Sequence, residues 1–284
     1  MTRSSAASVL LLACGVASAV LTGTRGQGAS FTWGELKVTN IDPEHYSFDF
    51  ATGKFSILGH PRLHATMSKK HLTVDSARLD GTADTTTKTM KTAKLSGGVK
   101  GQMESTTKDG DEHLSFAGPT VTYTSVGAAT DQLADIDVSG GANFATSNAS
   151  LGRTLSLSGS HGLFRVQSGD NAALQTADLD GPVTMHYDGV QVSVDRSKKP
   201  PVTSRSPVSG VAVGGHLTVS RAGNGNYLVR MSGGVHLKEV TGPNAGAEIN
   251  TTAVNLEFDT SGTLVRFGSD AESTATVPVG KARG

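Results

Sequence analysis

Residues 229–238 read VRMSGGVHLK and residues 93–102 read AKLSGGVKGQ, the same Ser-Gly-Gly-Val behind an apolar residue; 136–145, IDVSGGANFA, is a near copy. In a strand, residues two apart share a face. Tyr227, Val229, Met231, Gly233, Val235 and Leu237 have one parity, and so do Ile136, Val138, Gly140, Ala142 and Phe144. Leu179, Gly181, Val183, Met185 and Tyr187 repeat the relation, as do Ala93, Leu95, Gly97 and Val99. The apolar face therefore runs through the glycine. A hairpin turn at the Gly pair would reverse the chain and break the parity. The relation favours one strand that turns a corner, with the glycine directed inward where the missing side chain permits a bend or bulge.

The pattern of an apolar residue, any residue, then Gly recurs at Leu79/Gly81, Leu95/Gly97, Phe116/Gly118, Val138/Gly140, Leu157/Gly159, Leu179/Gly181 and Met231/Gly233. The first six glycines step by 16, 21, 22, 19 and 22 residues, by subtraction of their numbers. A period of this size marks a repeating supersecondary unit, and two strands with two turns fill it. Polar, Gly-bearing hairpin candidates lie at 51–54, 108–111, 169–171, 187–189 and 260–262.

Composition agrees. Aromatics are 5% of 284 residues while Gly numbers 35, which suits strands and turns, and the expected class is all-β. Lys+Arg and Asp+Glu are equal at 25 each, so bulk charge gives no case for a nucleic-acid partner. Residues 1–30 carry one early cation, Arg3, and an apolar run from Ala6 to Leu21. An export signal with Ala17-Ser18-Ala19 as its cleavage site fits, as do a lipoprotein anchor at Cys14 and an uncleaved membrane anchor. Each places the bulk of the protein outside the cytoplasm. Cys14 is the single cysteine, so the remainder holds together by sheet pairing and apolar burial.

The stretch RSKKPPVTSRSP, 196–207, is basic and Pro-rich and reads as a loop between β repeats over 31–195 and a continuation, or second lobe, over 208–284. The same strand grammar on both sides favours one continuous architecture.

Recognisable catalytic constellations are missing: no H-E-x-x-H, G-x-S-x-G or P-loop occurs. Ser160 and His161 are adjacent, which in a regular strand puts them on opposite faces. His60 and His64 are four apart, ~13 Å in a strand, too far to share one metal; His71, Glu44 and His45 are the further candidates there. Asp178, Asp180 and Gly181 form part of a calcium loop without its remaining oxygen ligands. No cofactor, metal or catalytic residue is expected. Lys69, Lys70, Lys88, Lys91, Lys94, Lys100, Lys198 and Lys199 make basic stretches that fit a solvated rim or cations meeting anionic head groups.

The segments LTVDSARLDGTADTTTKTMKTAKLSGGVKGQ (72–102), AEINTTAVNLEFDTSGTLVRFGS (247–269) and FDFATGKFSILGHPRL (48–63) order their strand, turn and apolar-x-Gly elements alike. In this the chain resembles the periplasmic lipopolysaccharide-transport proteins with the organic-solvent-tolerance-like domain. The resemblance spans most of 45–270, and the chain departs from it in its length and in the 196–207 insertion. It implies a folded-over antiparallel β-jelly-roll, open along one side, whose unfilled apolar face takes acyl chains. It implies lipopolysaccharide or another lipid as cargo in outer-membrane assembly, a periplasmic location, membrane-associated transport components as partners, and end-to-end self-association by sheet edges. Val138, Leu157, Val183, Met185, Val229, Met231 and Val235, each on the parity of its glycine, are the expected trough lining. The alternative is an extracellular structural β-solenoid or adhesin-like surface protein with a closed, dry interior.

Overall fold

The computed structural model describes residues 29–33, 36–42, 44–67, 70–84, 86, 89–107, 110–126, 133–167, 173–195, 197, 200, 202–259, 262–269 and 273–276. The expected leader lies outside these residues except for Ala29 and Ser30, which begin the first strand. The described chain is all-β, one open antiparallel sheet without a helix, folded over rather than closed into a barrel. No helix among these residues is long and apolar enough to cross a membrane.

Seven short strands come first: β1 (Ala29–Trp33), β2 (Leu36–Ile41), β3 (Tyr46–Asp49), β4 (Lys54–Leu58), β5 (Arg62–Met67), β6 (Lys70–Asp75) and β7 (Arg78–Asp84). Eight long strands follow: β8 (Thr89–Thr107), β9 (Gly110–Val126), β10 (Leu133–Asn148), β11 (Arg153–Gln167), β12 (Ala173–Asp195), β13 (Val202–Arg221), β14 (Tyr227–Thr241) and β15 (Glu248–Phe258). The short β16 (Leu264–Ser269) and β17 (Ser273–Thr276) end the sheet. Each long strand pairs antiparallel with the next. Each bends once near its middle, so the sheet is two wings hinged on a common crease. The front wing holds β1, β2, β5, β6 and β17 with the halves of the long strands beside them; the back wing holds β3, β4, β7 and β16 with the other halves.

The crease is a row of β-bulges. Residues 97 and 98 of β8 face only 119 of β9, 140 and 141 of β10 face only 160 of β11, and 233 and 234 of β14 face only 252 of β15. Similarly, 181 and 182 of β12 face only 215 of β13. The even-numbered long strands thus carry one residue more around the corner than their neighbours. An extra residue leaves the inward parity unchanged across the bend in β8, β10, β12 and β14. In β9, β11 and β13 the parity switches: Leu114 and Phe116 are followed by Val121 and Tyr123, Leu157 by Phe164 and Val166, and Ala212 by Leu217 and Val219.

The repeated glycines differ from expectation in one respect. Gly118 is buried beside Val138 as expected, but Gly97, Gly98, Gly140, Gly233 and Gly234 do not point into the interior and are exposed on the outer side of the corner. Their role is the backbone: φ is +82° and +84° at Gly97 and Gly98, and +84° and +77° at Gly233 and Gly234. An L-residue is strained in that region. Gly81 is not at the corner at all, lying within β7 opposite Phe55.

The segment expected as a loop over 196–207 is also shorter than its composition suggests. Residues 202–207 belong to β13 and pair with β12, Val202 with Asp195 and Pro207 with Val190. The alternation needed for a half-buried strand is absent there because residues 202–205 are all exposed.

Side chains flanking the crease are tightly enclosed. Leu95, Val99, Val121, Ile136, Leu179, Val183, Leu217 and Met231 are each under 2% exposed. Burying one such side chain stabilises the fold by roughly 1.5–3 kcal/mol. Further out the wings meet through aromatic pairs, Phe144 with Phe164 at 6.3 Å and Tyr187 with Phe258 at 5.3 Å between ring centroids.

Candidate functional site

Toward the rim, between the wings, the packing opens into a cavity of about 130 Å³. Phe144, Leu155, Leu157, Met185 and Tyr187 line it from the front wing, and Phe164, Leu174, Ala177, Val219, Tyr227, Val229 and Phe258 from the back. The lining arises because the inward parity on each wing is apolar while distance from the crease spreads the two faces apart.

The mouth is polar. The turn after β10 is held by Asn148, whose Oδ1 accepts from the Leu151 N–H at 3.0 Å, and by Gly152 N–H donating to the Ala149 carbonyl at 3.1 Å. It delivers Arg153, the first residue of β11, on the inward parity of Leu155 and Leu157. Arg153 Nη2 donates to Thr263 Oγ1 at 2.7 Å, across the gap between wings. Tyr187 OH donates toward the carbonyls of Val190 at 3.3 Å and Gly262 at 3.5 Å. A single parallel bridge, Gln191 to Leu264, ties the wings at the same place. Among the described residues, Arg153 Nε and Nη1, Asn148 Nδ2 and the Tyr227 hydroxyl are buried without hydrogen-bond partners. Burial pushes the Tyr187 phenol up, against smaller lowering effects of the Leu264 and Val190 backbone, and burial likewise raises Tyr227. Glu112 and Asp259 complete the mouth, Asp259 Oδ1 accepting from the Thr263 N–H at 2.8 Å.

Of the seven side chains expected along a trough, Leu157, Met185 and Val229 line this cavity. Val138, Val183, Met231 and Val235 flank the crease instead, 4%, 0%, 0% and 2% exposed, and pack as core. Arg153, Asn148 and Thr263 were not singled out from the sequence. The signal was present for two of them: Arg153 and Asn148 are polar residues on an apolar parity.

The outer face carries a different cluster. His161 Nε2 lies 3.2 Å from Asp137 Oδ1, and His216 Nδ1 lies 2.9 Å from Asp180 Oδ1 and 3.6 Å from Asp178 Oδ1. Ser160 and His161 are both on this outer side, because the parity switch in β11 falls between the two; Ser160 Oγ donates to the Asp180 carbonyl at 2.9 Å. Asp178, Asp180 and His216 offer ligand atoms within 4.8 Å of one another, so the partial calcium-loop pattern gains a histidine from β13. His60 and His64 line one solvent-facing groove with Arg62 and Asp75, which pair at 2.5 Å. Among the described residues, no grouping of potential metal ligands includes His60, His64, His71, Glu44 or His45. Of the lysines singled out, Lys69, Lys88, Lys198 and Lys199 lie outside the described residues, Lys91 pairs with Asp84 at 3.1 Å, and none of the others lines the cavity.

Comparison with protein-family models, curated proteins and solved structures gives no match to this chain.

Proposed function

We propose that this chain is a non-enzymatic lipid-binding protein that shields acyl chain between its wings, acting in the transfer of lipopolysaccharide or a related lipid during outer-membrane assembly outside the cytoplasm. The observation that carries the reading is the apolar cavity at the open rim, bounded by Leu157 and Met185 on one wing and Val229 on the other. Each methylene moved from water into such a space contributes about 0.8 kcal/mol, so a short run of chain binds without any chemistry. The open edges support handover or self-association: β3 at one end bonds only to β4, and β17 at the other only to β15, among the described residues. The resemblance in the repeat grammar points the same way. A structural surface protein with a dry interior has no use for a cavity of this lining.

The test is displacement of a polarity-sensitive naphthylamine probe from the purified full-length chain. Lipopolysaccharide is expected to displace the probe, and its acyl-free core oligosaccharide is not. Binding of the oligosaccharide without displacement would instead assign the protein to saccharide recognition at its outer surface.

A further inference from the structure

The mouth of the cavity holds more donors than the protein itself uses. Among the described residues Arg153 keeps Nε and Nη1 buried and unpartnered, although its Nη2 is anchored on Thr263. Asn148 presents Nδ2 without a partner, and its amide orientation is set by the bond that Oδ1 accepts from the Leu151 N–H. The Tyr227 hydroxyl is the remaining orphan in the cavity wall. A buried guanidinium edge left without an acceptor is costly. Three of these four atoms can only donate. The group that satisfies them is an oxyanion, and a guanidinium fork meets a carboxylate or phosphate with two parallel bonds.

The apolar lining starts where the donors end. A cavity of about 130 Å³ compares with the ~150 Å³ engineered cavity that admits a benzene-sized group, so it takes one chain and not several side by side. Resting on the lipid-binding reading above, we propose that Arg153 and Asn148 form a headgroup site: the cavity receives a single acyl or alkyl chain whose carboxylate or phosphate binds the Arg153 Nε/Nη1 edge. Arg153 then selects among lipids by charge at the headgroup, while the trough wall is indifferent to it.

Dodecanoate, dodecyl phosphate and dodecanol share one chain length and differ at the headgroup, and inorganic phosphate supplies the anion without a chain. Their affinities for the full-length protein, by probe displacement, separate the outcomes. The two anionic amphiphiles are expected to bind at least about tenfold more tightly than the alcohol, the worth of one or two charge-assisted hydrogen bonds. R153Q is expected to bring the affinities of the two anionic amphiphiles down to within about twofold of the alcohol's in the same variant, and R153K to keep part of the preference. Equal binding of all three chains by the unaltered protein would overturn the headgroup site and leave the lipid-binding reading standing. Failure of every chain to bind a folded protein would overturn both. Inorganic phosphate competing as well as dodecyl phosphate would show a free-anion site and overturn the assignment to lipid.

Discussion

At the scale of single residues, the bend depends on glycines whose strain is of two kinds. A Cβ on Gly234 would meet nothing within 4 Å, so G234A carries only the cost of the left-handed backbone, roughly 1–2 kcal/mol. A Cβ on Gly181 would lie beside Ser160 Oγ, at 2.1 Å. G181A is therefore expected to lower the urea midpoint more than G234A, and S160G in the G181A background to recover the steric part but not the backbone part. Equal losses in the two single variants would refute the distinction. Arg153 makes an opposite case: with an unpaired buried edge, R153M is expected to leave the lipid-free protein as stable as before or up to about 1–4 kcal/mol more stable, measured by urea unfolding. The tyrosines set an alkaline limit. Burial holds Tyr187 and Tyr227 protonated in the folded state above the ordinary phenol pKa of about 10. The unfolded chain loses those protons first, so stability is intact below about pH 10 and falls as pH rises toward the folded values. Unfolding at a series of alkaline pH values should show this slope, shallower in Y187F.

At the scale of elements, the crease is a counting device. G141A keeps the number of residues in β10 and pays only for φ of +119°. Deleting Gly141 removes the extra corner residue and would turn Ala142 and Phe144 outward, exchanging the faces of the front-wing half of the strand. The substitution is expected to fold with a modestly lower midpoint, the deletion to lose cooperative unfolding; a deletion variant that unfolds like G141A would show that parity across the crease is not what holds β10. The same counting explains what the sequence allowed to be read. In β8, β10, β12 and β14 the apolar parity survives the bend, so Leu95 and Val99, or Met231 and Val235, announce one face and the corner between them. In β9, β11 and β13 one residue fewer rounds the corner, so Leu157 and Phe164 fall on different parities and a period-two reading loses the thread. The depth of each side chain was equally hidden. Parity says that Met231 and Val229 face inward, but only their distances from the crease make one core and the other cavity wall. Arg153 was legible only as an exception on an apolar parity, and its partner Thr263 lies on another strand connection that no local pattern links to it.

At the scale of the whole molecule, a folded-over sheet leaves two ends and one open side. At the β3 end Tyr46 is 38% exposed and Phe50 76% exposed, and at the other end Val265 and Phe267 of β16 are 42% and 40% exposed. Exposed edges with apolar flanks favour pairing with another sheet. F50D is accordingly expected to weaken any concentration-dependent association seen by sedimentation velocity, while the monomer loses only the ring contact of Phe50 with Phe48, about 0.5–1.5 kcal/mol. The open side is where the central claim stands, that acyl chain enters between the wings at the rim and not at the crease. A photo-reactive amino acid placed singly at Leu157, Met231 or Ser156, in the full-length chain expressed in a lipopolysaccharide-making bacterium, measures this directly. Lipid adducts at Leu157, with none at the crease residue Met231 or at Ser156 of the opposite parity, are the result expected. Adducts absent from Leu157 in a folded protein, or no more frequent there than at Ser156, would contradict it.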